Sequence, residues 1–376
     1  MKKYKLLYFV SEDKYFLSHK IKHAIYAQKK GFDVLVVCNL TKYEQKIKQK
    51  GINILGINSL RKSINPFSQV YLIIKLLNII KQFNPDIIQN IALKPILIGS
   101  ISAILFKKKV CVVNAFVGLG YLFINNNILT TILRFVIKNF LKIILKKKNF
   151  HSVFQNNDDL TFFNKKKIVD MERTFVIKGS GVETNYFKPK NVKKKYDVIL
   201  HSRMLKDKGI YEYIESIRII IKKKNIKALL LGSPDNKNYA SIAEAELKKW
   251  NSEKIVEWVP FKEDVRDYLN QSKISILPSY REGLPKSLLE AASCGLPIIT
   301  TNVPGCKEIC VNNYNGLLVD TKNAESISKA IKYLLDNKNK REIFSKNSRK
   351  LVLKYFCVLK ISKEFANLYF KILKLK

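Results

Sequence analysis

Short β-branched runs alternate with longer helical patterns along the whole sequence, and this alternation limits the possible folds more than any other feature. It implies a parallel sheet covered by helices on both faces. In the first half, residues 5–10, 33–38, 86–90 and 110–115 read as strands. Residues 18–30 read as a helix with Gly31 placed to end it, and 66–83 as an apolar helix stopped by Asn84-Pro85. The polar run Asn191-Val192-Lys193-Lys194-Lys195, just after Pro189, looks like an interdomain linker. The pattern then restarts. Strands are expected at 197–201, 228–232, 255–259, 274–277 and 297–300, and helices near 209–224, 240–250, 286–293, 324–336 and, with a break, 340–374. The expectation is an α/β chain of two Rossmann-like, doubly wound domains facing a cleft. They span 1–188 and 196–355, and a C-terminal helix, 356–376, returns to the first.

Composition enters through charge. Lys and Arg total 69 against 30 Asp and Glu, a formal net charge of +39. Such a balance suggests nucleic acid, an anionic membrane surface or an anionic substrate. Only nine of the basic residues are Arg, and Lys, Asn and Ile are what an A/T-rich genome writes. No RRM, zinc-finger or helix-turn-helix pattern accompanies the charge, so no nucleic-acid partner is expected, although a basic nucleic-acid binder stays as the rival from another class. The N-terminal apolar run is cut short by Ser11-Glu12-Asp13-Lys14 and makes a poor signal peptide. No uncharged apolar stretch reaches the ~18 residues of a membrane-crossing helix. Six scattered cysteines without a C-x-x-C pair read as reduced thiols in the cytoplasm. No metal-ligand spacing, D-x-D pair, P-loop or dinucleotide fingerprint is present, so neither metal nor cofactor is expected.

In α/β sheets of this kind, anionic ligands bind beyond the carboxyl ends of strands, where loops lead into helix N-termini. Two stretches have that placement. His201-Ser202-Arg203-Met204-Leu205-Lys206-Asp207-Lys208-Gly209 follows the first strand of the second domain. A diphosphate suits its Arg fork, its Lys point charge and the amides of the next helix; in so Lys-rich a chain, two cations at a turn can also be accidental. The second stretch runs Pro278-Ser279-Tyr280-Arg281-Glu282-Gly283-Leu284-Pro285-Lys286-Ser287-Leu288-Leu289-Glu290-Ala291. Two carboxylates across a helix start can hold the sugar and ribose hydroxyls of a nucleotide sugar, with phosphate between them. The bland alternative is a helix cap at Glu282 and a surface glutamate at Glu290.

Together these stretches resemble the retaining glycosyltransferases of family 4, which have the two-domain GT-B fold. Ala291-Ala292-Ser293-Cys294-Gly295-Leu296-Pro297, Asn315-Gly316-Leu317-Leu318-Val319 and Gly179-Ser180-Gly181-Val182-Glu183 continue the likeness. The resemblance implies that Arg203 and Lys208 bind the donor diphosphate, that Glu290 binds the ribose hydroxyls, and that Glu282 contacts the transferred sugar beside Gly283 and Leu284. It implies a metal-independent reaction with retention, by front-face attack, in which the leaving diphosphate takes the acceptor's proton and Glu282 is no general base.

The first half resembles the branch that extends undecaprenyl-diphosphate-linked saccharides, most of all its N-acetylgalactosaminyltransferases. Phe16-Leu17-Ser18-His19-Lys20, Ile64-Asn65-Pro66-Phe67, Lys94-Pro95 and Gly118-Leu119-Gly120 carry this likeness. Lys20 and Lys22 stand where that branch usually has Arg and Pro. The resemblance implies an acceptor-binding first domain, a donor-binding second domain, a UDP-sugar donor and a lipid-linked acceptor in surface polysaccharide, lipopolysaccharide or glycoprotein glycan assembly. His19, Lys20 and Lys94 are candidate acceptor or phosphate contacts; His19 reads equally as a helix N-terminal histidine without a ligand. In residues 128–148, Arg134, Lys138, Lys142 and Lys146 recur every four residues among apolar ones. Such a helix suits an anionic membrane surface, and the expected place is the inner face of the cytoplasmic membrane, peripherally attached. A nucleotide-sugar epimerase of the same fold is the nearer rival.

Overall fold

The computed structural model describes residues 3–57, 66–106, 108–118, 128–235 and 238–374. By packing, the chain divides into two units, Met1–Gly181 with Val358–Lys376, and Val182–Cys357. Ile64-Asn65 and Leu119-Gly120 lie outside the described residues.

The first unit runs β1 (Lys5–Glu12), α1 (Asp13–His19), α2 (Ile21–Lys29), β2 (Asp33–Asn39), α3 (Glu44–Lys48), β3 (Asn53–Gly56), α4 (Pro66–Phe83), β4 (Ile87–Ile91), α5 (Leu93–Leu105), β5 (Cys111–Phe116), α6 (Ile128–Ile144), β6 (Phe150–Phe154), α7 (Asn157–Lys165) and β7 (Thr174–Val176). Its sheet is parallel in the order β3-β2-β1-β4-β5-β6-β7. The order reverses between β1 and β4, the switch point where such sheets receive ligands. Both faces are covered, so the central strands read as continuous apolar runs; every residue of β4, β5 and β6 is buried.

One helix departs from expectation. The reading of 18–30 as a single helix starts too late and misses a break: α1 begins at Asp13, and Lys20, at φ −125°, separates it from α2. Asp13 explains the early start. Its fully buried carboxylate accepts hydrogen bonds from Thr41 N at 2.7 Å, Thr41 Oγ1 at 2.6 Å and Tyr43 N at 3.1 Å, which fixes the end of β1 to the loop after β2. His19 is therefore at the end of a helix, not at its start.

The second unit runs β8 (Tyr196–His201), α8 (Ile210–Ile221), β9 (Ala228–Leu231), α9 (Glu244–Ser252), β10 (Glu257–Val259), α10 (Arg266–Asn270), β11 (Ser272–Leu277), α11 (Lys286–Ser293), β12 (Ile298–Thr301), α12 (Cys306–Ile309), β13 (Gly316–Val319), α13 (Ala324–Asp336) and α14 (Lys338–Tyr355). Its parallel order is β10-β9-β8-β11-β12-β13, with the switch point between β8 and β11. Residues 191–195 are exposed and without regular structure, as their charge suggests. They nevertheless belong to this unit, because Lys194 Nζ donates to Asn270 O and Lys195 N to Gln271 O. The sequence-based end of the first domain, 188, differs from the division at Gly181 for the same kind of reason. Arg349 of α14 donates to the carbonyls of Thr184 and Phe187 and holds that segment to the second unit.

The last helix, α15 (Val358–Lys374), completes the first unit. Ile361, Phe365, Leu368, Tyr369 and Ile372 form its buried stripe and join Tyr8, Phe16 and Phe32 in one core. Each such side chain contributes about 1.5–3 kcal/mol of gross burial. Tyr369 Oη lies 3.1 Å from Tyr8 Oη and donates to Gln89, and His23 Nδ1 lies 2.9 Å from Ser362 Oγ. Among the described residues, no helix is long and apolar enough to cross a membrane.

Candidate functional site

The polar constellation of the second unit sits at its switch point, on the loops that follow β8 and β11. After β8 the chain passes Arg203, a 3-10 turn at Lys206–Lys208, and Gly209 before α8. Gly209 has φ +70°, and a Cβ there would strike the carbonyl of Pro278. That close approach brings the two loops together, and Tyr280 N donates to Asp207 O at 2.9 Å. A second glycine, Gly305 at φ +78°, lets the loop after β12 lie against the carbonyls of Glu282 and Gly283, 2.5–2.7 Å from where a Cβ would stand.

These contacts leave Lys208 and Glu282 facing each other. Lys208 Nζ is 2.5 Å from Glu282 Oε1, with the side chains only 14% and 12% exposed. Ser279 Oγ donates to the same carboxylate oxygen at 2.7 Å. Glu290 lies one turn inside α11. Its two oxygens face Lys286 Nζ at 3.3 Å and His201 Nε2 at 3.4 Å. Burial alone would raise the Glu290 pKa, but Lys286 and then His201 outweigh it and hold the carboxyl below its ordinary 4.5. The amino end of α11 begins after Pro285 without a side-chain cap, as does a helix start that offers amides to an anion. Gly283 is buried and Leu284 partly buried in the same loop.

Arg203 stands apart from this group. Its guanidinium pairs with Asp235, at 3.0 Å, on the loop after β9, and its side chain is 55% exposed. An ion pair so open to water contributes little to stability. The arrangement therefore joins Lys208 to Glu282 and Glu290 to two further groups, and leaves Arg203 on the β9 side. His201, Lys286, Ser279 and Asp235 are the participants that the sequence reading missed. Two had a signal: Lys286 lies four residues before Glu290, one helical turn away, and His201 closes the strand that delivers Arg203.

In the first unit, His19, Lys20 and Lys94 all follow β1 or β4, the two strands flanking that unit's switch point. His19 stacks on Tyr15 with ring centroids 4.5 Å apart, and its Nδ1 is 2.7 Å from Ser18 Oγ. Lys20 is buried, its ammonium 5.0 Å from the Phe365 ring, and burial pulls its pKa down to about 7. Lys94 is the second residue of α5 and partly buried, and desolvation lowers its pKa too. Arg134, Lys138 and Lys142 lie along α6; Lys146 is exposed and falls past its end. Four apolar residues of this region, Ile132, Phe135, Val136 and Ile143, are 56–69% exposed, whereas Leu141 and Ile144 are buried in the core. Among the described residues, no group of three or more His, Cys, Asp or Glu could hold a metal ion.

Comparison with known proteins places both units. Residues 182–351 match the family described as Glycosyl transferases group 1, and residues 5–149 the family described as Glycosyl transferase 4-like. The chain is 28% identical over 358 residues to the N,N'-diacetylbacillosaminyl-diphospho-undecaprenol alpha-1,3-N-acetylgalactosaminyltransferase of Campylobacter jejuni, covering 91% of this chain and 92% of that protein. It is 23% identical to the UDP-Gal:alpha-D-GlcNAc-diphosphoundecaprenol alpha-1,3-galactosyltransferase of Escherichia coli, covering 90% and 89%. The crystal structure of a glycosyltransferase from Rickettsia africae superimposes over the full length of both chains with a TM-score of 0.81 at 20% identity.

Proposed function

This chain belongs to the group 1 glycosyltransferases, with the GT-B fold, and we propose that it moves a sugar from a UDP-sugar to a saccharide linked to undecaprenyl diphosphate. The observation that carries the reading is the pairing of Lys208 with Glu282 and the placing of Glu290 one turn inside α11, all at the switch point of the second sheet. Lys208, Arg203 and the amides of α11 take the donor's diphosphate. Glu290, kept ionised by Lys286 and His201, accepts hydrogen bonds from the ribose hydroxyls. Glu282 accepts from a hydroxyl of the transferred sugar, beside the backbone of Gly283 and Leu284.

In the transition state the bond from the sugar's anomeric carbon to the diphosphate oxygen lengthens, and negative charge grows on that oxygen. Fixed cations and amides aimed there stabilise it without reorganising. They supply the positive charge that a divalent ion supplies in other transferases, so the reaction is metal-independent. The acceptor hydroxyl attacks the face from which the diphosphate leaves, its proton passes to the departing diphosphate, and the anomeric configuration is retained, as in family 4. N-acetylgalactosamine is the sugar that the Campylobacter relative's name supports. The acceptor is a lipid, which fits work at the inner face of the cytoplasmic membrane, with the cations at 134, 138, 142 and 146 toward anionic headgroups.

The test is a screen of radiolabelled UDP-sugars against a short undecaprenyl-diphosphate sugar, with a donor-only control read for epimer formation. Lys208→Ala and Glu290→Ala each abolish transfer while circular dichroism stays native. Near-wild-type transfer by both variants overturns the donor-site assignment.

A further inference from the structure

Helices α4, α5 and α6 of the first unit line a half-open pocket of about 250 Å³. Ile73 of α4, Leu97 and Ile101 of α5, and Val136 and Phe140 of α6 give it walls of carbon, and Lys94 is a cationic group in its lining. At about 30 Å³ for each water-sized group, the space takes roughly eight such groups. That is the bulk of a short aliphatic segment, one to two isoprene units long. The outer surfaces of the same helices are apolar as well. Val70, Tyr71 and Ile74 of α4 are 53–58% exposed, and Ile132 and Phe135 of α6 are 58% and 65% exposed. Apolar surface kept open on neighbouring helices marks a site for something apolar.

Charge and backbone strain narrow the occupant. Lys94 stands at the start of α5, and the residue at that helix's N-cap, Ala92, has φ 77° and ψ 161°. An alanine in this region, nearly exclusive to glycine, is strained, and such strain gathers at ligand sites. It sets the first turn of α5 at the carboxyl edge of the sheet, beside the β1/β4 switch point. Partial burial disfavours the Lys94 ammonium and lowers its pKa, so an anion beside it would be stabilising. Arg134, Lys138 and Lys142 add cations along α6, the third wall. A carbon-lined hole with a cation in its lining complements a ligand that is anionic at one end and a hydrocarbon chain at the other.

We infer that this pocket receives the isoprene units nearest the diphosphate of the lipid acceptor, with that diphosphate against Lys94 and the first turn of α5. The inference rests on the acceptor class proposed above. It adds a subsite for the lipid chain itself, whereas adhesion to a bilayer needs only a surface.

Geranyl diphosphate, with ten carbons and no sugar, is the probe, titrated calorimetrically into the full-length protein without donor. It is expected to bind at least tenfold more tightly than methyl diphosphate. Ile101→Trp, which fills the pocket, should erase that preference, and Lys94→Gln should weaken geranyl diphosphate binding at least fivefold. Equal binding of the two probes to the wild type, or a preference that survives Ile101→Trp, overturns the inference. Should Ile101→Trp fail to fold, a diazirine-bearing geranyl diphosphate crosslinked to the wild type decides: labels within 66–106 and 128–144 support the pocket, and labels elsewhere refute it. If Ile101→Trp impairs flotation with anionic vesicles but leaves geranyl diphosphate binding intact, the pocket takes bilayer chains and the inference falls. The acceptor class is judged separately. Transfer with equal KM to citronellyl- and methyl-linked diphosphate sugars defeats the pocket alone, and no transfer to any diphosphate-linked sugar defeats the acceptor reading.

Discussion

The Lys208–Glu282 pair can be either a structural ion pair or two halves of a binding site, and a double-mutant cycle separates these. At 2.5 Å and an effective dielectric of about 20, the gross Coulomb attraction is about 7 kcal/mol. Desolvation cancels most of it, but removing one partner leaves the other as a lone charge, 14% or 12% exposed. Lys208→Met and Glu282→Gln should therefore each cost about 3 kcal/mol. For a unit of this size that lowers its calorimetric transition by about 6–12 °C. The double variant leaves neither charge stranded and should regain most of the loss. Transfer should behave differently. Losing one fixed charge-stabilising group costs about 100- to 1000-fold in kcat, so both single variants should drop by that order, and the double variant should recover none of it. If transfer returns to within tenfold of wild type in the double variant, the pair is structural and the donor-site reasoning is wrong.

Other expectations follow from the same geometry. Because the folded pKa of Glu290 lies below its ordinary 4.5, its contribution to stability is present above that value and is lost as pH falls through the folded pKa; Glu290→Gln should flatten this acid limb of a melting-temperature profile. Lys20 titrates near 7 when folded against an ordinary 10.5, so its burial cost is full below pH 7 and relieved as pH rises toward 10.5. Lys20→Met should accordingly raise the melting temperature most at pH 6 and least near pH 10, and a gain that grows with pH would contradict the assignment. Replacing Arg134, Lys138, Lys142 and Lys146 together by Gln removes about 1 kcal/mol of attraction per charge. Flotation with anionic vesicles at low salt should fall at least tenfold, and unchanged flotation would sink the membrane face.

Much of the fold was legible because strand and helix periods differ. The helices at Pro66–Phe83, Lys286–Ser293 and Ala324–Asp336 stand where their patterns and stop signals put them. Three of the elements or boundaries that escaped show why. Helix α5 is so apolar that no polar face betrays its period, and a buried helix and a buried strand then look alike. Strands β3, β7 and β13 have only three or four residues, too few to show alternation. The start of α1 depends on hydrogen bonds that Asp13 accepts from Thr41 and Tyr43, about thirty residues away, which no local window contains. The site divides similarly. Arg203, Lys208, Glu282 and Glu290 were visible because their spacing forms a motif. Asp235 enters because the loop after β9 lies beside the one after β8, and His201 meets Glu290 because β11, three strands later in sequence, flanks β8 on its other side.

Because α15 closes the core that β1 opens, the second unit is an insertion within the sequence of the first. On the ribosome the hydrophobic groups of Tyr8, Phe16 and Phe32 emerge early, but their cover emerges only after the whole second unit. At about 5–20 residues per second, the intervening chain takes roughly 17–70 s to synthesise. Throughout that interval the second unit can finish folding while the first keeps an open apolar face, so the order of maturation runs against the order of synthesis. A nascent chain stalled before residue 358 would carry a complete second unit attached to an unfinished first one. Trigger-factor-like holdases should engage the first unit, not the second, for the longest part of translation.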